Sequence, residues 1–210
     1  MDRAIPPPHP VRRPGFAGAL IHAWSGLVWA TAHQRNMKIH AVSATLVGCV
    51  GSAIALGLPE KVTLLFCVML VLFAEIVNTA LEALVDLHIE KFHDLARVVK
   101  DTAAAGVLVL SLGTVALFAV ILVNDWPIIE AHPREALRQL AVGAPLAAIG
   151  ALLTSSGPRA KWIDAALLAT ALACWIALLF WTTSLVFSAL LLGLLVLQAA
   201  AAVELRWRRR

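Results

Sequence analysis

Four polar residues recur at helical spacing inside a long apolar stretch. Glu75, Asn78, Glu82 and Asp86 are separated by three, four and four residues, and the chain around them is almost entirely apolar. At about 100° per residue of an α-helix, they project at roughly 0°, 300°, 340° and 20°. The spacing therefore predicts a narrow polar stripe, about 16 Å long, on one face of one helix.

Two carboxylates seven residues apart can divide the work of a group transfer. Glu82, nearer the helix end, can hold a divalent cation together with substrate phosphates, as Mg²⁺ sites usually do. Glu75, deeper in the apolar stretch where water is scarce, can act as a general base. The alternative is a helix-packing stripe whose carboxylates are protonated or hydrogen-bonded between subunits, and the spacing alone leaves both interpretations open.

Cationic side chains follow the polar stripe within one polar segment, Leu87–Lys100. Lys100 is predicted to lie just before a helix that begins near Thr102 and is capped by Asp101, so that the helix N-terminus and Lys100 form an anion site. Lys91, His93 and Arg97 are also suited to a phosphate. Attraction to anionic head groups explains these three equally well.

The elements that position these residues are predicted to cross a membrane. The chain has 210 residues, of which 60% are hydrophobic and 14% charged, which is too apolar for an ordinary soluble domain. A bilayer span needs about 20 apolar residues. A soluble bundle with a fully buried core is the disfavoured alternative. Six segments qualify as spans, namely Ile39–Leu58, Val62–Val85, Thr102–Asn124, Gln139–Ser156, Ala165–Trp181 and Thr182–Val203.

The distribution of basic residues predicts the orientation. If the N-terminus is cytoplasmic and six helices cross, 14 of the 17 Lys and Arg residues lie in inner segments and three in outer loops. This is the bias of cytoplasmic loops, so both termini are predicted to be cytoplasmic. The net charge of +4 serves orientation and contact with lipid head groups, and it gives no support for nucleic-acid binding.

The chain divides into three parts. Residues 1–14 are Pro- and Arg-rich and are predicted to be a disordered tail. Residues 15–124 contain an apolar helix, Phe16–Ala32, predicted to lie in the membrane surface, followed by the first three spans. Residues 125–210 hold three further spans that carry almost no charge. The fold class is therefore an all-α integral membrane protein.

The region around the polar stripe resembles a known family. Ala74–Asp86 (AEIVNTALEALVD), followed by Phe92-His93 and Lys100-Asp101, is similar to the signature of prokaryotic diacylglycerol kinases and undecaprenol kinases. The match to the family signature extends through 27 residues of this sequence. It includes the order and spacing of Glu, Asn, Glu, Asp, His and Lys-Asp. The resemblance extends weakly upstream, covers about Phe16–Val123, and does not reach the C-terminal part.

The resemblance implies an enzyme of the bacterial inner membrane that phosphorylates a lipid hydroxyl with MgATP. It also implies a homotrimer of three-helix protomers, with an active site shared between subunits at the inner face. By residue correspondence, Glu75 is the catalytic base and Glu82 a metal ligand. Asn78, Glu82, Lys91, Phe92, His93, Lys100 and Asp101 are ATP-site positions, Trp24, Arg35 and Lys38 are lipid-contact positions, and Asp86 has a supporting role.

One departure from the family pattern affects the metal site. The family's second metal-ligating Glu corresponds here to Gln34, whose amide oxygen can bind a cation but carries no charge. Weaker metal binding, a shifted ligand and loss of activity all remain open. A non-catalytic scaffold or lipid-binding protein is therefore the main alternative, and a transporter using Glu75 and Glu82 as a proton relay is another. The resemblance assigns no role to residues 125–210.

Overall fold

A computed structural model describes residues 15–88 and 94–206 of the chain. The predicted tail, residues 1–14, and the predicted ATP-site residues Lys91, Phe92 and His93 lie outside the described residues. Within them the chain is all α-helix with no strand, as predicted. The helices are α1 (Phe16–His33), α2 (Arg35–Ala53), α3 (Leu58–His88), α4 (Asp94–Asn124), α5 (Trp126–Ala131), α6 (Pro133–Thr154), α7 (Lys161–Leu179) and α8 (Leu185–Arg206).

Five helices of the described part are long and apolar enough to cross a membrane: α3, α4, α6, α7 and α8. The helix expected as the first span, α2, is not among them. It has 19 residues, begins with the polar sequence RNMKIH and ends at Ala53. The prediction of a helical span over Ile39–Leu58 is therefore wrong at its C-terminal end, because Ile54 already has an extended backbone.

A distant loop fixes the end of α2. The Thr183 backbone N–H donates to the carbonyl oxygen of Ser52 at 2.8 Å, and the Thr183 hydroxyl bonds the carbonyl oxygens of Ser52 and Ile54 at 3.0 and 2.8 Å. The last carbonyls of a helix need such partners because no intrahelical N–H reaches them. The donor is about 130 residues further along the chain, so the local sequence could not indicate this end.

The start of α4 corrects a second prediction. The helix begins at Asp94, so Lys100 and Asp101 lie within it and neither residue stands at its N-terminus. The proposed cap by Asp101 and the anion site combining Lys100 with the helix start are therefore wrong. Asp94 supplies the acidic residue of the first turn, which suits the positive end of the helix dipole. Arg97 and Asp101, one turn apart at 3.8 Å, add an ion pair along the helix.

The C-terminal helices α6 and α8 pack closely on α2 and on each other at glycine positions. A Cβ added at Gly51 of α2 would lie 2.6 Å from the ring of Phe187 in α8, and one at Gly150 of α6 would lie 2.5 Å from the amide of Gln198. Small residues allow this spacing inside a membrane, where helix association depends on close packing. Helix α3 also packs on α2, and Ala44, Val68 and Leu194 join α2, α3 and α8 in one cluster.

Replacing Gly51 by Ala should destabilise the protein. The new methyl group meets the ring of Phe187, which is fully buried, and such overpacking costs about 1–3 kcal/mol. Thermal unfolding in detergent should show a lower midpoint for Gly51→Ala. The matched control is Gly113→Ala in α4, where nothing lies within 4 Å of the added Cβ. Equal midpoints for the two variants would contradict the close packing of α2 on α8.

Most basic residues of the described part of the chain lie at one end of the helix bundle. Lys38 Nζ donates to Ser156 Oγ at 3.0 Å, and Arg206 donates to the carbonyl oxygen of Leu153 at 3.0 Å. These bonds bring the start of α2, the end of α6 and the end of α8 together at what we call the basic end. The described cations at this end are Arg35, Lys38, Arg97, Lys100, Arg159, Lys161 and Arg206, whereas Lys61, Arg134 and Arg138 lie at the other. The cytoplasmic orientation of this end stays a prediction from the distribution of basic residues.

Candidate functional site

The polar stripe lies on the C-terminal half of α3 and becomes more exposed towards the basic end. Glu75 is 1% exposed and Asn78 3% exposed, whereas Glu82 is half-buried and Asp86 is exposed. The stripe thus runs from the protein interior to the surface. The spacing predicts that the four residues share one helix face, and the structure places Glu75 deepest among the three carboxylates.

The deep part of the stripe has unsatisfied oxygen atoms. Asn78 Nδ2 donates to Glu82 Oε1 at 3.1 Å, one helical turn apart. Glu75 Oε2, Asn78 Oδ1 and Thr79 Oγ1 are buried without a hydrogen-bond partner in the protein. A buried polar atom without a partner costs about 1–3 kcal/mol and calls for an explanation. Each of these oxygens can accept a hydrogen bond, and those of Glu75 and Asn78 can also bind a cation.

A lysine from α4 adjoins the exposed part of the stripe. Lys100 Nζ donates to Asp86 Oδ1, which joins the end of α3 to the first turns of α4. Lys100 is therefore close to the stripe even though it does not stand at a helix N-terminus. Arg97 and Asp101 form a pair in which both side chains are largely exposed, and such surface pairs contribute little to stability.

Gln34 is the single residue between α1 and α2. It has an extended backbone, its N–H donates to the Ala30 carbonyl at 2.9 Å, and its own carbonyl accepts from the Lys38 N–H at 3.3 Å. The α2 and α3 helices run antiparallel, and Ala44 and Val68 share one cluster. Gln34 lies ten residues before Ala44, and Asn78 lies ten residues after Val68. Both residues are therefore about 15 Å from that contact in the direction of the basic end, so Gln34 and Asn78 lie at the same level.

Two of the predicted lipid-contact residues, Trp24 and Arg35, have no bond to the stripe among the described residues. Trp24 is partly exposed on α1 and Arg35 is exposed at the start of α2. Lys38 binds Ser156 of the α6–α7 loop. Within residues 15–88 and 94–206, no hydrogen bond or ion pair connects Trp24, Gln34 or Arg35 to the four stripe residues. The structure thus brings together Glu75, Asn78, Glu82, Asp86 and Lys100.

Two polar residues with a buried, unpartnered atom were not predicted from the sequence. Thr79 lies one turn after Glu75 on α3, and its hydroxyl oxygen is unpartnered. His22 of α1 has a buried Nε2 without a partner and is the one ionisable residue in the apolar stretch Phe16–Ala32. The four-residue spacing from Glu75 could have indicated Thr79, and an isolated histidine in an apolar helix could have indicated His22.

The oxygen atoms of the stripe suit Mg²⁺ only when a substrate supplies further ligands. Among the described residues there is no group of three or more His, Cys, Asp or Glu that could hold a metal ion. Mg²⁺ is commonly held by one or two carboxylates together with waters and substrate phosphates. Glu82 and the unpartnered amide oxygen of Asn78 match that pattern, so the residues fit a cation that arrives with a nucleotide.

An apolar cavity lies next to the stripe. Its volume is about 210 Å³, and its lining from α2, α3 and α4 is mostly apolar, with His40, Ser43, Ser111 and Thr114 as its polar members. The α3 lining residues Val68, Val71 and Leu72 precede Glu75 by seven, four and three residues, so they share its helix face. The cavity and the deep carboxylate therefore suit an amphipathic molecule with a polar head at the stripe.

Comparison with known proteins identifies the same region. The sequence model of the family described as prokaryotic diacylglycerol kinase matches residues 21–122. An undecaprenol kinase of Bacillus subtilis is 36% identical over 98 residues, which are 46% of this chain and 79% of that protein. A diacylglycerol kinase of Escherichia coli K12 is 29% identical over 101 residues, covering 48% of this chain and 83% of that protein.

A diacylglycerol kinase of Synechocystis is 35% identical over 103 residues, which are 49% of this chain. The matched part spans 59% of that relative's length. No solved structure matches the chain. The family match ends before α5, so the C-terminal helices are not explained by it.

Proposed function

Since the chain belongs to the prokaryotic diacylglycerol kinase family, we propose that it is a membrane lipid kinase. It transfers the γ-phosphate of ATP to the hydroxyl of a lipid. The observation that carries this proposal is the buried, unpartnered carboxylate oxygen of Glu75 on the helix face that also lines the apolar cavity. A lipid hydroxyl placed at Glu75 leaves its apolar chains in the cavity and in the bilayer.

Glu75 is the base of the proposed reaction. Its carboxylate takes the proton of the lipid hydroxyl as the hydroxyl oxygen bonds to the γ-phosphorus of ATP. The bond from that phosphorus to the bridging oxygen breaks, and ADP leaves with the electron pair. Burial of Glu75 at 1% exposure keeps water from competing with the lipid for the phosphoryl group.

The remaining stripe residues position the phosphates. Glu82 and Asn78 hold the Mg²⁺–ATP phosphates, and Mg²⁺ neutralises charge on the phosphate oxygens when it is bound. Lys100, fixed against Asp86, adds positive charge beside them. Lys91, Phe92, His93 and Asp101 complete the nucleotide site in this proposal, which follows from the family correspondence.

Two lipid classes remain candidates for the substrate, because the relatives are named for diacylglycerol and for undecaprenol. Both present one hydroxyl at the end of long apolar chains. The proposal includes a homotrimer, whose neighbouring subunit completes the site beside the stripe. It also places the protein in the bacterial inner membrane with the basic end towards the cytoplasm.

The second candidate function is a non-catalytic lipid-binding or scaffold protein. The neutral amide of Gln34 favours it, because the family's corresponding carboxylate would add a negative charge for Mg²⁺. Such a protein binds nucleotide or lipid without phosphoryl transfer.

A direct transfer assay separates the two functions. Purified protein in mixed micelles is given γ-labelled ATP, Mg²⁺ and either diacylglycerol or undecaprenol. We expect labelled lipid phosphate from one of them, and the productive lipid identifies the substrate class. Protein that is folded and binds ATP, yet labels neither lipid, would favour the non-catalytic function.

A further inference from the structure

The C-terminal helices contact the part of the core where α1 joins α2. Ala32 at the end of α1 and Ala201 of α8 are both 0% exposed and share a cluster with Leu205. The other buried residues of α1 lie mainly in the same half, at Val28, Ala30 and Thr31. Helix α1 is therefore fixed near its C-terminal end, next to the single extended residue Gln34.

The same helices also fix α2 in two further places. Gln198 of α8, 2% exposed, donates through Nε2 to Thr45 Oγ1 at 3.3 Å. At the basic end, Lys38 donates to Ser156 of the α6–α7 loop at 3.0 Å. Polar bonds between helices inside a membrane hold their rotation and register. Helix α2 is thus bonded to α8 at Thr45 and to the α6–α7 loop at Lys38.

The α6–α7 loop that receives Lys38 is itself held by two arginines. Arg206 donates to the carbonyl oxygens of Leu153 and Ser155 at 3.0 and 2.7 Å, and Arg159 donates to that of Leu152 at 2.8 Å. These carbonyls form the negative end of α6, where cations are favourable. Asp164, at 3.4 and 3.3 Å from the two guanidinium groups, balances part of their charge.

We propose that α6, α7 and α8 act as a positioning element for the α1–α2 junction. They fix the angle between α1 and α2 and thereby the places of Gln34 and Lys38 relative to the polar stripe on α3. A chain with one extended residue between two helices can bend there, because that residue's backbone angles set the angle between them. The contacts of Ala32, Thr45 and Lys38 remove this freedom. The catalytic consequence rests on the proposed lipid kinase function, whereas the positioning does not.

The main test enlarges the contact between α1 and α8. In Ala201→Leu, the larger side chain meets Ala32 and should displace the end of α1. Hydrogen exchange of the amides in residues 30–40 should then be faster by about tenfold, with α3 and α4 unchanged. The matched control is Ala169→Leu on the exposed face of α7, which should exchange like the wild type. Equal exchange in the two variants would overturn the proposal.

A milder variant keeps the test valid if Ala201→Leu does not fold. Ser156→Ala removes one exposed hydroxyl, and the loss of its bond to Lys38 should raise the lipid KM about threefold while kcat stays within about twofold. Ser156→Thr restores the hydroxyl and should restore KM, whereas a general loss of stability would alter kcat as well. An unchanged KM in Ser156→Ala would contradict positioning through Lys38.

The two readouts separate this inference from the kinase proposal. If the wild-type protein transfers no phosphate, the kinase proposal fails, and the exchange of residues 30–40 still decides whether α8 positions the junction. If the wild type is active and junction exchange does not respond to Ala201→Leu, only the positioning role fails.

Discussion

Glu75→Gln should lower lipid phosphorylation by about 10³-fold, because general base catalysis typically contributes 10²–10⁴-fold. The glutamine side chain has nearly the same size as glutamate but cannot take the proton of the lipid hydroxyl. Since Glu75 is almost fully buried, no nearby water reaches the hydroxyl to replace it. The measurement is kcat for the purified variant with saturating ATP, Mg²⁺ and lipid.

The control for this variant lies on the same helix. Glu60→Gln makes the same chemical change in the first turn of α3, at the end opposite the stripe, and should retain normal turnover. Size-exclusion chromatography and thermal unfolding should show that Glu75→Gln assembles like the wild type. Near-normal turnover in a folded Glu75→Gln protein would remove Glu75 from the role of base.

Gln34→Glu should lower the Mg²⁺ concentration needed for half-maximal activity by about tenfold. Changes to the groups around a bound metal ion commonly alter the affinity for that ion by about 10–100-fold. The substitution adds a negative charge at the level of Asn78, where the register of α2 on α3 places residue 34. A carboxylate binds Mg²⁺ more strongly than a neutral amide. Titration of Mg²⁺ at fixed ATP gives the half-maximal concentration.

Asn36→Asp adds the same charge two residues further along and controls for a general electrostatic effect. Asn36 is exposed in the first turn of α2, so its variant should shift the Mg²⁺ titration much less. An identical titration for the wild type and Gln34→Glu would mean that position 34 does not face the metal. The neutral residue would then have no bearing on activity.

The polar stripe could be predicted from sequence because helical periodicity depends only on local geometry. Glu75, Asn78 and Glu82 had to share one face of any helix that contained them, and α3 does contain them. The long apolar helices were also predictable, since the bilayer fixes their length. The structure added the graded burial of the stripe and the unpartnered oxygens of Glu75 and Asn78.

Helix ends were harder to predict because tertiary partners decide them. The end of α2 depends on Thr183, which follows it by about 130 residues. The start of α4 at Asp94 was missed because Lys100 and Asp101 read as a helix boundary, whereas they continue the helix. The pairing of Lys100 with Asp86 depends on how two helices meet, and neither sequence segment alone contains that information.

The packing of the C-terminal helices was not predictable for a similar reason. Gly51, Gly150 and Ala201 look like ordinary small residues of apolar helices in the sequence. Their role appears only with their partners, since Gly51 faces Phe187 and Gly150 faces Gln198. Contacts of this kind join residues more than forty positions apart, and the family correspondence ends at residue 122.

The most direct test of the central claim follows the γ-phosphate itself. ATP labelled with ¹⁸O in its γ-phosphate is incubated with the protein, Mg²⁺ and each candidate lipid, and the lipid products are analysed by mass spectrometry. The account predicts a lipid monophosphate carrying the label, formed only with Mg²⁺ and absent for Glu75→Gln. Label found only in ATP or inorganic phosphate, with folded and membrane-embedded protein, would contradict it.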